Sequence, residues 1–403
     1  MNFKNSLAAK FALTIITVVI LVLFLALADR LYGNYFKKNT KELIYPPYSK
    51  AHHQSSEFDI TVKINSLGFR DYEYPLHKKK KHRIAVIGDS FTFGWGVDLE
   101  DCWVKILEKE LNENGLDVEI LNLGKGGAGP ADYTKIAEKG IPLLKPDLVV
   151  IGVLQANDLH QLIHAYDSLP VPQVQAEPKS FISIKVNGLL TRAFPNFMHI
   201  ISINRSDISS DWKRYAPAIL NSFKTKQSDR FNELNEKLQT DFKSGTLNPW
   251  LISQAVYYPD YFTQTLDTTD LDVVIGISAM ADFFSSIQKT CSENNSELIV
   301  LSIPNLPYSS KEEMLSLKKY GFEIPDSIYG NPLSDKTIQM AAEESGIEFY
   351  SASENFINLQ GFKNLEDLQT NLYYPFDGHF TKEGNRIFAA AVKEFFETKV
   401  KAN

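Results

Sequence analysis

The sequence has few cysteines and no excess of positive charge, and each feature excludes a class of protein. Only two cysteines occur in 403 residues, Cys102 and Cys291. They form no zinc-binding spacing and no disulfide framework of the kind that small secreted domains carry. We expect two free, buried thiols, and a single disulfide between them is the alternative. The net charge of −7 argues against a nucleic-acid-binding protein, which would carry a basic surface.

Internal repeats and low-complexity tracts are also absent. Hydrophobic residues make up 44% of the chain and aromatic residues 12%, which is enough to build a large core. The length corresponds to two or three structural units of roughly 100–200 residues each. We therefore expect a folded globular protein with more than one structural part.

One long apolar run lies near the N-terminus, from Phe11 to Ala28, behind a short basic tail at residues 1–10. Its length approaches the ~20 residues that span a bilayer and exceeds the ~7–15 residues of a signal-peptide core. We predict a transmembrane signal anchor with the rest of the chain extracytoplasmic, periplasmic or extracellular. The alternative is a secreted protein, cleaved after Ala28 at the small residues of 26–28.

Residues 29–80 are predicted to form a stalk, or a strap laid on the domain. Within them, residues 64–71 indicate a turn, because Gly68 is free to take a positive φ. We expect Phe69 to pack in the core and Arg70 to pair with an acid.

Strand and helix patterns alternate on both sides of a long interruption. Alternation of this kind is typical of a parallel sheet covered by helices, so we predict a three-layer α/β/α fold of flavodoxin-like type. Its domain would comprise residues 81–160 and 272–403. The predicted strands are 82–87, 118–123, 147–154, 297–304 and 347–350, and the predicted helices are 99–113, 131–144, 273–291, 337–344 and 384–398.

The interruption, residues 161–271, is too long for a structureless loop inside a compact domain. We predict an inserted, largely helical cap, with one helix at 226–243 and a cluster of aromatic residues at 250–262. Two roles stay open for this cap: it shapes a substrate cleft, or it forms a surface for a partner.

The first predicted strand ends in Gly88, Asp89 and Ser90. Ligands bind at the carboxyl ends of strands in open α/β sheets, so Ser90 is placed where chemistry is usually done. A serine becomes a nucleophile when a neighbouring base takes its proton. Asp89 is expected to hydrogen-bond the backbone of the loop.

Three later blocks complete the pattern: a glycine-rich turn at 124–129, Asn157 after the third strand, and a paired Asp377 and His379 before the last helix. Together with the block that contains Ser90, they make four blocks. These four blocks resemble those of the SGNH (GDSL-type) hydrolase superfamily, and the apolar N-terminal run makes the chain similar to its membrane-anchored bacterial members. The resemblance covers about residues 60–165 and 285–398. It implies the three-layer fold and serine-esterase chemistry.

The candidate roles follow from this pattern. Ser90 is the nucleophile, His379 is the base, and Asp377 orients the imidazole as in other Ser-His-Asp sites. The oxyanion hole would consist of the Ser90 N–H, Gly127 and the side-chain amide of Asn157. No metal or cofactor is implied.

The chain departs from the common pattern of the superfamily at two points. Asp377 precedes His379 by two residues, where a separation of three is common in the superfamily. The structure must therefore show whether the Asp377 carboxylate reaches Nδ1 of the His379 ring. Gln155 stands where a glycine is common, which concerns the local backbone. In the glycine block, Gly124 and Gly126 are expected to be tight-turn glycines.

These observations predict a serine esterase that acts on acyl esters, most simply acetyl esters, of an envelope carbohydrate or lipid. One alternative is an O-acetyltransferase acting on an extracytoplasmic glycan. Another, from a different class, is a catalytically silent glycan-binding or assembly protein. The sequence identifies no protein partner.

Overall fold

The computed structural model describes residues 7–164, 188–198, 212–360 and 371–402. A two-stranded antiparallel hairpin comes first, formed by β1 (Lys50–Gln54) and β2 (Asp59–Lys63). A five-stranded parallel sheet follows, in the order β4-β3-β5-β6-β7. Its strands are β3 (His82–Gly88), β4 (Val118–Gly124), β5 (Leu148–Leu154), β6 (Glu297–Ile303) and β7 (Glu348–Ser351).

The predicted strands and the predicted fold class are confirmed. Every residue of β3, β4 and β5 is buried. Parallel strands covered on both faces read as continuous apolar runs, because each side of the strand meets a helix. The strand order is that of flavodoxin-like doubly wound sheets.

Sixteen helices are labelled here among the described residues. The predicted helices of the α/β domain are confirmed within a few residues at each end. The helices are α1 (Leu7–Asn39), α2 (Ser90–Phe93), α3 (Trp103–Glu113), α4 (Pro130–Leu144), α5 (Asn157–Ile163), α6 (Trp212–Ser222), α7 (Thr225–Glu233), α8 (Glu236–Ser244), α9 (Pro249–Tyr257), α10 (Tyr261–Gln264), α11 (Leu271–Glu293), α12 (Leu306–Ser309), α13 (Lys311–Lys319), α14 (Leu333–Glu344), α15 (Ser353–Gln360) and α16 (Lys382–Ala402).

Two apolar clusters cover the two faces of the sheet. Alternate residues of β3 belong to different clusters: Val86 packs with Trp103 and Phe388 of α3 and α16, whereas Ile87 packs with Tyr133 of α4. Helices α11 and α14 lie on the same face as α4. The cluster that contains Val86 extends into helices α6–α10, so this helical segment shares its core with the sheet.

The N-terminal helix α1 is long and apolar enough to cross a membrane, with its apolar side chains exposed. It continues without a break past the predicted span, through residue 39. Helix α11 is also long and apolar enough to cross a membrane, but it packs in the protein core through residues such as Ile277 and Met280. Only α1 therefore offers an unburied apolar helix among the described residues.

The inserted region differs from its prediction in one respect. Its described parts, residues 161–164, 188–198 and 212–271, are largely helical, but the single helix expected at 226–243 is two helices, α7 and α8. The backbone is extended at Leu234, and the Asn235 side chain accepts the Lys237 N–H to begin α8. An asparagine cap of this kind starts a new helix instead of continuing the old one. Residues 165–187 and 199–211 of the predicted cap lie outside the described residues.

The cysteines are free and buried, as expected. The turn at 64–71 is confirmed in part: Gly68 has φ +84° and Phe69 is fully buried. The expected ion pair of Arg70 is wrong, because its guanidinium donates to backbone carbonyls. The neighbouring Asp71 makes the ion pair instead, with Lys105 at 2.9 Å.

Candidate active site

Ser90, His379 and Asp377 form a continuous hydrogen-bonded relay. The distance from His379 Nε2 to Ser90 Oγ is 2.7 Å, and that from His379 Nδ1 to Asp377 Oδ1 is 2.5 Å. Asp377 is buried, whereas Ser90 and His379 are partly accessible. The ring of His379 lies between two aromatic rings, with centroids 5.0 Å from Phe91 and 5.7 Å from Trp95. The geometry is that of a base ready to take the serine proton.

Ser90 begins α2, a single helical turn that rests on the ends of the strands. Three glycines make this close approach possible: Gly88 pairs with Gly124 on one side and with Gly152 on the other. A Cβ on Gly124 would lie 2.2 Å from the backbone nitrogen of Phe93. The absence of these side chains therefore lets α2 sit directly over β3, β4 and β5.

Arg70 holds the loop that follows Ser90. Its guanidinium is buried and donates to the carbonyls of Phe93 (2.9 Å), Gly94 (2.5 Å) and Val97 (2.6 Å). A rigid guanidinium fork can serve several acceptors at once, and buried carbonyls need such partners. The segment at 64–71, which lies outside the sheet, thus holds the loop that follows Ser90.

Two buried carboxyl groups lie beneath the site. Asp89 accepts the Phe91 N–H at 2.9 Å and caps α2, which confirms its predicted contact with the loop backbone. Asp158 accepts the Tyr133 hydroxyl at 3.0 Å and the Leu154 N–H at 3.1 Å. Burial raises the pKa of both carboxyl groups, and the charge of Asp89 raises that of Asp158 further. They tie α2 and the start of α5 to the sheet.

Asp377 reaches His379 because the residue between them is Gly378. Its φ is +89°, a region that residues with a Cβ rarely adopt. The chain reverses there, with the Gly378 N–H donating to the Tyr374 carbonyl at 2.7 Å. A spacing of two residues therefore brings the carboxylate to Nδ1.

The candidate oxyanion donors converge on one cavity together with Ser90 and His379. Gly127 has φ +70°, and nothing lies within 4 Å of the position that a Cβ would occupy. Among the glycines of residues 124–129, Gly127 is the one with a positive φ. The expectation of a tight turn is confirmed for Gly126, which lies in the turn that the Ala128 N–H closes on the Lys125 carbonyl at 3.0 Å, and is wrong for Gly124, which is the last residue of β4. Gly124 serves close packing, and the Gly126 N–H donates to the Tyr45 hydroxyl at 3.0 Å.

Gln155 does not disturb the site. Its side chain is buried, donates to Asp335 at 2.7 Å and accepts the Asn305 N–H at 3.1 Å. The unusual backbone falls on the next residue, Ala156, at φ +64° and ψ −45°. A non-glycine residue held there is strained, and such strain is common at functional sites. It immediately precedes Asn157, which begins α5.

The cavity has a volume of about 540 Å³ and three different walls. The sheet and its loops contribute the relay and the oxyanion candidates. The hairpin region contributes residues from Tyr45 to Ile64, including Lys50 and His53, and the helical segment contributes Trp212 and Trp250. Apolar and aromatic side chains dominate the lining. Among the residues that the structure describes, no group of three or more His, Cys, Asp or Glu side chains is placed to hold a metal ion.

Three contacting residues are absent from the sequence-based candidates. Asn248 donates to the Asp377 carbonyl at 3.2 Å, Tyr261 accepts the Asn157 amide at 3.1 Å, and Glu57 accepts the Phe376 N–H at 3.0 Å. The only advance signal is the Asn248-Pro249 pair, which is typical of a helix start. Nothing in the sequence pattern connects these residues to the relay.

Comparison with known proteins gives matches among solved structures alone. No protein-family model and no curated protein matches the sequence. An acetyl xylan esterase is 13% identical, with 78% of this chain and 98% of that chain covered and a TM-score of 0.37. Esterase EstA from Pseudoalteromonas sp. is 10% identical, with 80% and 100% covered and a TM-score of 0.35. A GDSL-like lipase from Bacteroides thetaiotaomicron is 14% identical, with 81% and 93% covered and a TM-score of 0.33.

The class that the fold and the site define is an α/β protein with a Ser-His-Asp relay at the switch point of a parallel sheet.

Proposed function

We propose that the chain is a serine esterase that hydrolyses acyl esters through an acyl-serine intermediate. One observation carries the proposal: Ser90, His379 and Asp377 form a relay of 2.7 and 2.5 Å at the wall of a cavity. Sites of this geometry activate a serine hydroxyl for attack on a carbonyl.

The proposed reaction has two stages. Ser90 Oγ attacks the ester carbonyl while His379 Nε2 takes the hydroxyl proton and Asp377 stabilises the imidazolium. The oxyanion accepts hydrogen bonds from the N–H groups of Ser90 and Gly127 and from the Asn157 amide. Collapse expels the alcohol, which receives the proton from His379. Water, deprotonated by His379, then attacks the carbonyl carbon of the acyl-serine; the bond from that carbon to Ser90 Oγ breaks, His379 returns the proton to Oγ, and the acid leaves.

The substrate class is a further part of the proposal. An apolar cavity of this size accommodates an acyl ester of an envelope carbohydrate or lipid, the simplest acyl group being acetyl. Helix α1 supports a location at a membrane, with the catalytic domain extracytoplasmic or, after cleavage, secreted. The chain differs from the common superfamily pattern in the Asp377–His379 spacing and at Gln155, and these differences are the reason to consider a catalytically silent binding protein. The relay is intact despite both of them.

The test is ester hydrolysis by the full chain in a non-ester detergent. Wild type and Ser90→Ala are compared on p-nitrophenyl acetate and on longer p-nitrophenyl esters. We expect nitrophenol release from wild type and a rate indistinguishable from background for Ser90→Ala. Equal rates for the two proteins would contradict the proposal. Release that increases when a glycan acceptor is added would favour the O-acetyltransferase alternative.

A further inference from the structure

The helical segment 212–264 contacts the catalytic acid through Asn248. The Asn248 amide oxygen accepts the Trp250 N–H at 3.0 Å and caps α9, which fixes the orientation of the amide. Its nitrogen therefore points to Asp377, 3.2 Å from the carbonyl oxygen and 3.4 Å from Oδ2. The other carboxylate oxygen, Oδ1, contacts His379. The Asn248 N–H also donates to the Phe376 carbonyl at 2.9 Å.

The same segment contacts the candidate oxyanion donor through Tyr261. Asn157 is fixed at both ends of its amide: its oxygen accepts from Gln161 at 2.9 Å, and its nitrogen donates to the Tyr261 hydroxyl at 3.1 Å. An amide nitrogen carries two protons, so one proton is left for a substrate oxygen. Tyr261 is 3% exposed, and its ring packs 4.9 Å from that of Phe262.

We propose that Asn248 and Tyr261 are positioning residues, the first holding Asp377 against His379 and the second aiming the Asn157 amide at the oxyanion. The inference rests on the proposed esterase function and extends it. The inserted helical segment then completes the active site, in addition to covering it. Catalytic groups need support of this kind, because small displacements reduce the rate strongly.

The first test is Tyr261→Phe, which removes one hydroxyl and keeps the buried ring. We expect kcat on a p-nitrophenyl ester to fall about tenfold with KM changed less than about twofold, since the oxyanion contact strengthens in the transition state. Tyr257→Phe is the matched control. It removes a hydroxyl that bonds Ser222 in the same segment, away from the cavity, and should leave kcat unchanged.

The second test is Asn248→Asp, which keeps the oxygen that caps α9 and replaces the donor to Asp377 with a negative charge. We expect kcat/KM to fall at least tenfold. The acid limb of its pH profile should move upward by about one unit, because an added anion beside the relay favours the protonated imidazole. Asn235→Asp makes the same exchange at the cap of α8, which does not line the cavity, and should change neither quantity.

The outcomes separate this inference from the function on which it rests. A wild-type chain that neither hydrolyses esters nor reacts with a fluorophosphonate would contradict the esterase proposal, and the inference with it. An active wild type with unchanged kcat in Tyr261→Phe and an unmoved pH profile in Asn248→Asp would overturn the inference alone. Equal losses in the control variants would also overturn it, because they would show general destabilisation.

Discussion

Ser90 and His379 are 289 residues apart in the chain and are held in place by different parts of the molecule. Ser90 follows a central strand directly, and buried groups of the sheet domain fix its turn: the strand-end glycines, the Asp89 cap and Arg70. His379 lies in a loop that two outlying elements support, Glu57 at the hairpin and Asn248 in the helical segment.

The comparison shows that Ser90 is held by groups close to it at the strand ends, whereas the loop of His379 is held by segments distant in sequence. The serine side depends on Arg70, Asp89 and the glycines at the ends of β3, β4 and β5. The base side requires three stretches distant in sequence to meet, around residues 57, 248 and 377. We therefore expect replacement of Arg70 to act mainly on stability, and replacement of Asp377 to act mainly on the chemistry.

The largest effect should come from either member of the catalytic pair. Ser90→Ala and His379→Ala should each reduce kcat by about 10⁴-fold or more, and the double variant by no more than either single one, since the two groups act as a unit. Burst and steady-state kinetics on a p-nitrophenyl ester measure this. Effects that multiply in the double variant would show that the two residues act independently.

Replacement of the orienting carboxylate should have the next largest effect. Asp377→Asn should reduce kcat about 10³-fold with little change in stability, because an amide near Nδ1 favours the wrong imidazole tautomer. The exposed Asp282→Asn serves as the control. Activity within a few-fold of wild type would mean that the short Asp-x-His spacing plays no part in orienting His379.

On the serine side, Arg70→Met should act on stability first. Three buried carbonyls would lose their donor, so the free energy of unfolding should fall by about 3 kcal/mol. Urea denaturation followed by tryptophan fluorescence checks this against the exposed Arg192→Met. If the two variants are equally stable, the contacts of Arg70 do not hold the loop.

The smallest effect concerns Glu57, whose second carboxylate oxygen is buried with no partner among the described residues. Burial, together with the charge of Asp377, raises the pKa of Glu57 to about 7. A raised carboxyl pKa stabilises the fold fully below the unfolded value of about 4.3, and this contribution is lost as the pH rises through 7.

Glu57→Gln, which stays neutral, should therefore raise Tm by a few degrees at pH 8 and change it little at pH 5. Thermal scans at both pH values, beside the exposed Glu42→Gln, provide the measurement. A gain of the same size at both pH values would show that ionisation of Glu57 is not its cause.

The sheet and the serine side were predictable because their signals are local. Buried parallel strands read as apolar runs; Gly88 ends β3, and Ser90 and Asn157 lie within three residues of a strand end. The helix expected at 226–243 was wrong because one capping residue, Asn235, divides it. Capping depends on backbone angles at a single position, which hydrophobic periodicity does not reveal.

The contacts that hold the candidate catalytic groups were not predictable, because they join residues across long separations. Asn248 lies 129 residues from Asp377, and Tyr261 lies 104 residues from Asn157. Arg70 was expected to form an ion pair with an acidic side chain, but its guanidinium donates hydrogen bonds to three backbone carbonyls of one loop. Motif spacing identifies groups that react, whereas the residues that hold them follow from the folded arrangement.

The most direct test of a working Ser-His relay is covalent labelling of the full chain with a fluorophosphonate, followed by peptide mass spectrometry. We predict one phosphonylated residue, Ser90, and labelling that is lost in His379→Ala, because the probe requires an activated serine. Labelling at another residue, or at Ser90 with equal speed in His379→Ala, would contradict the account.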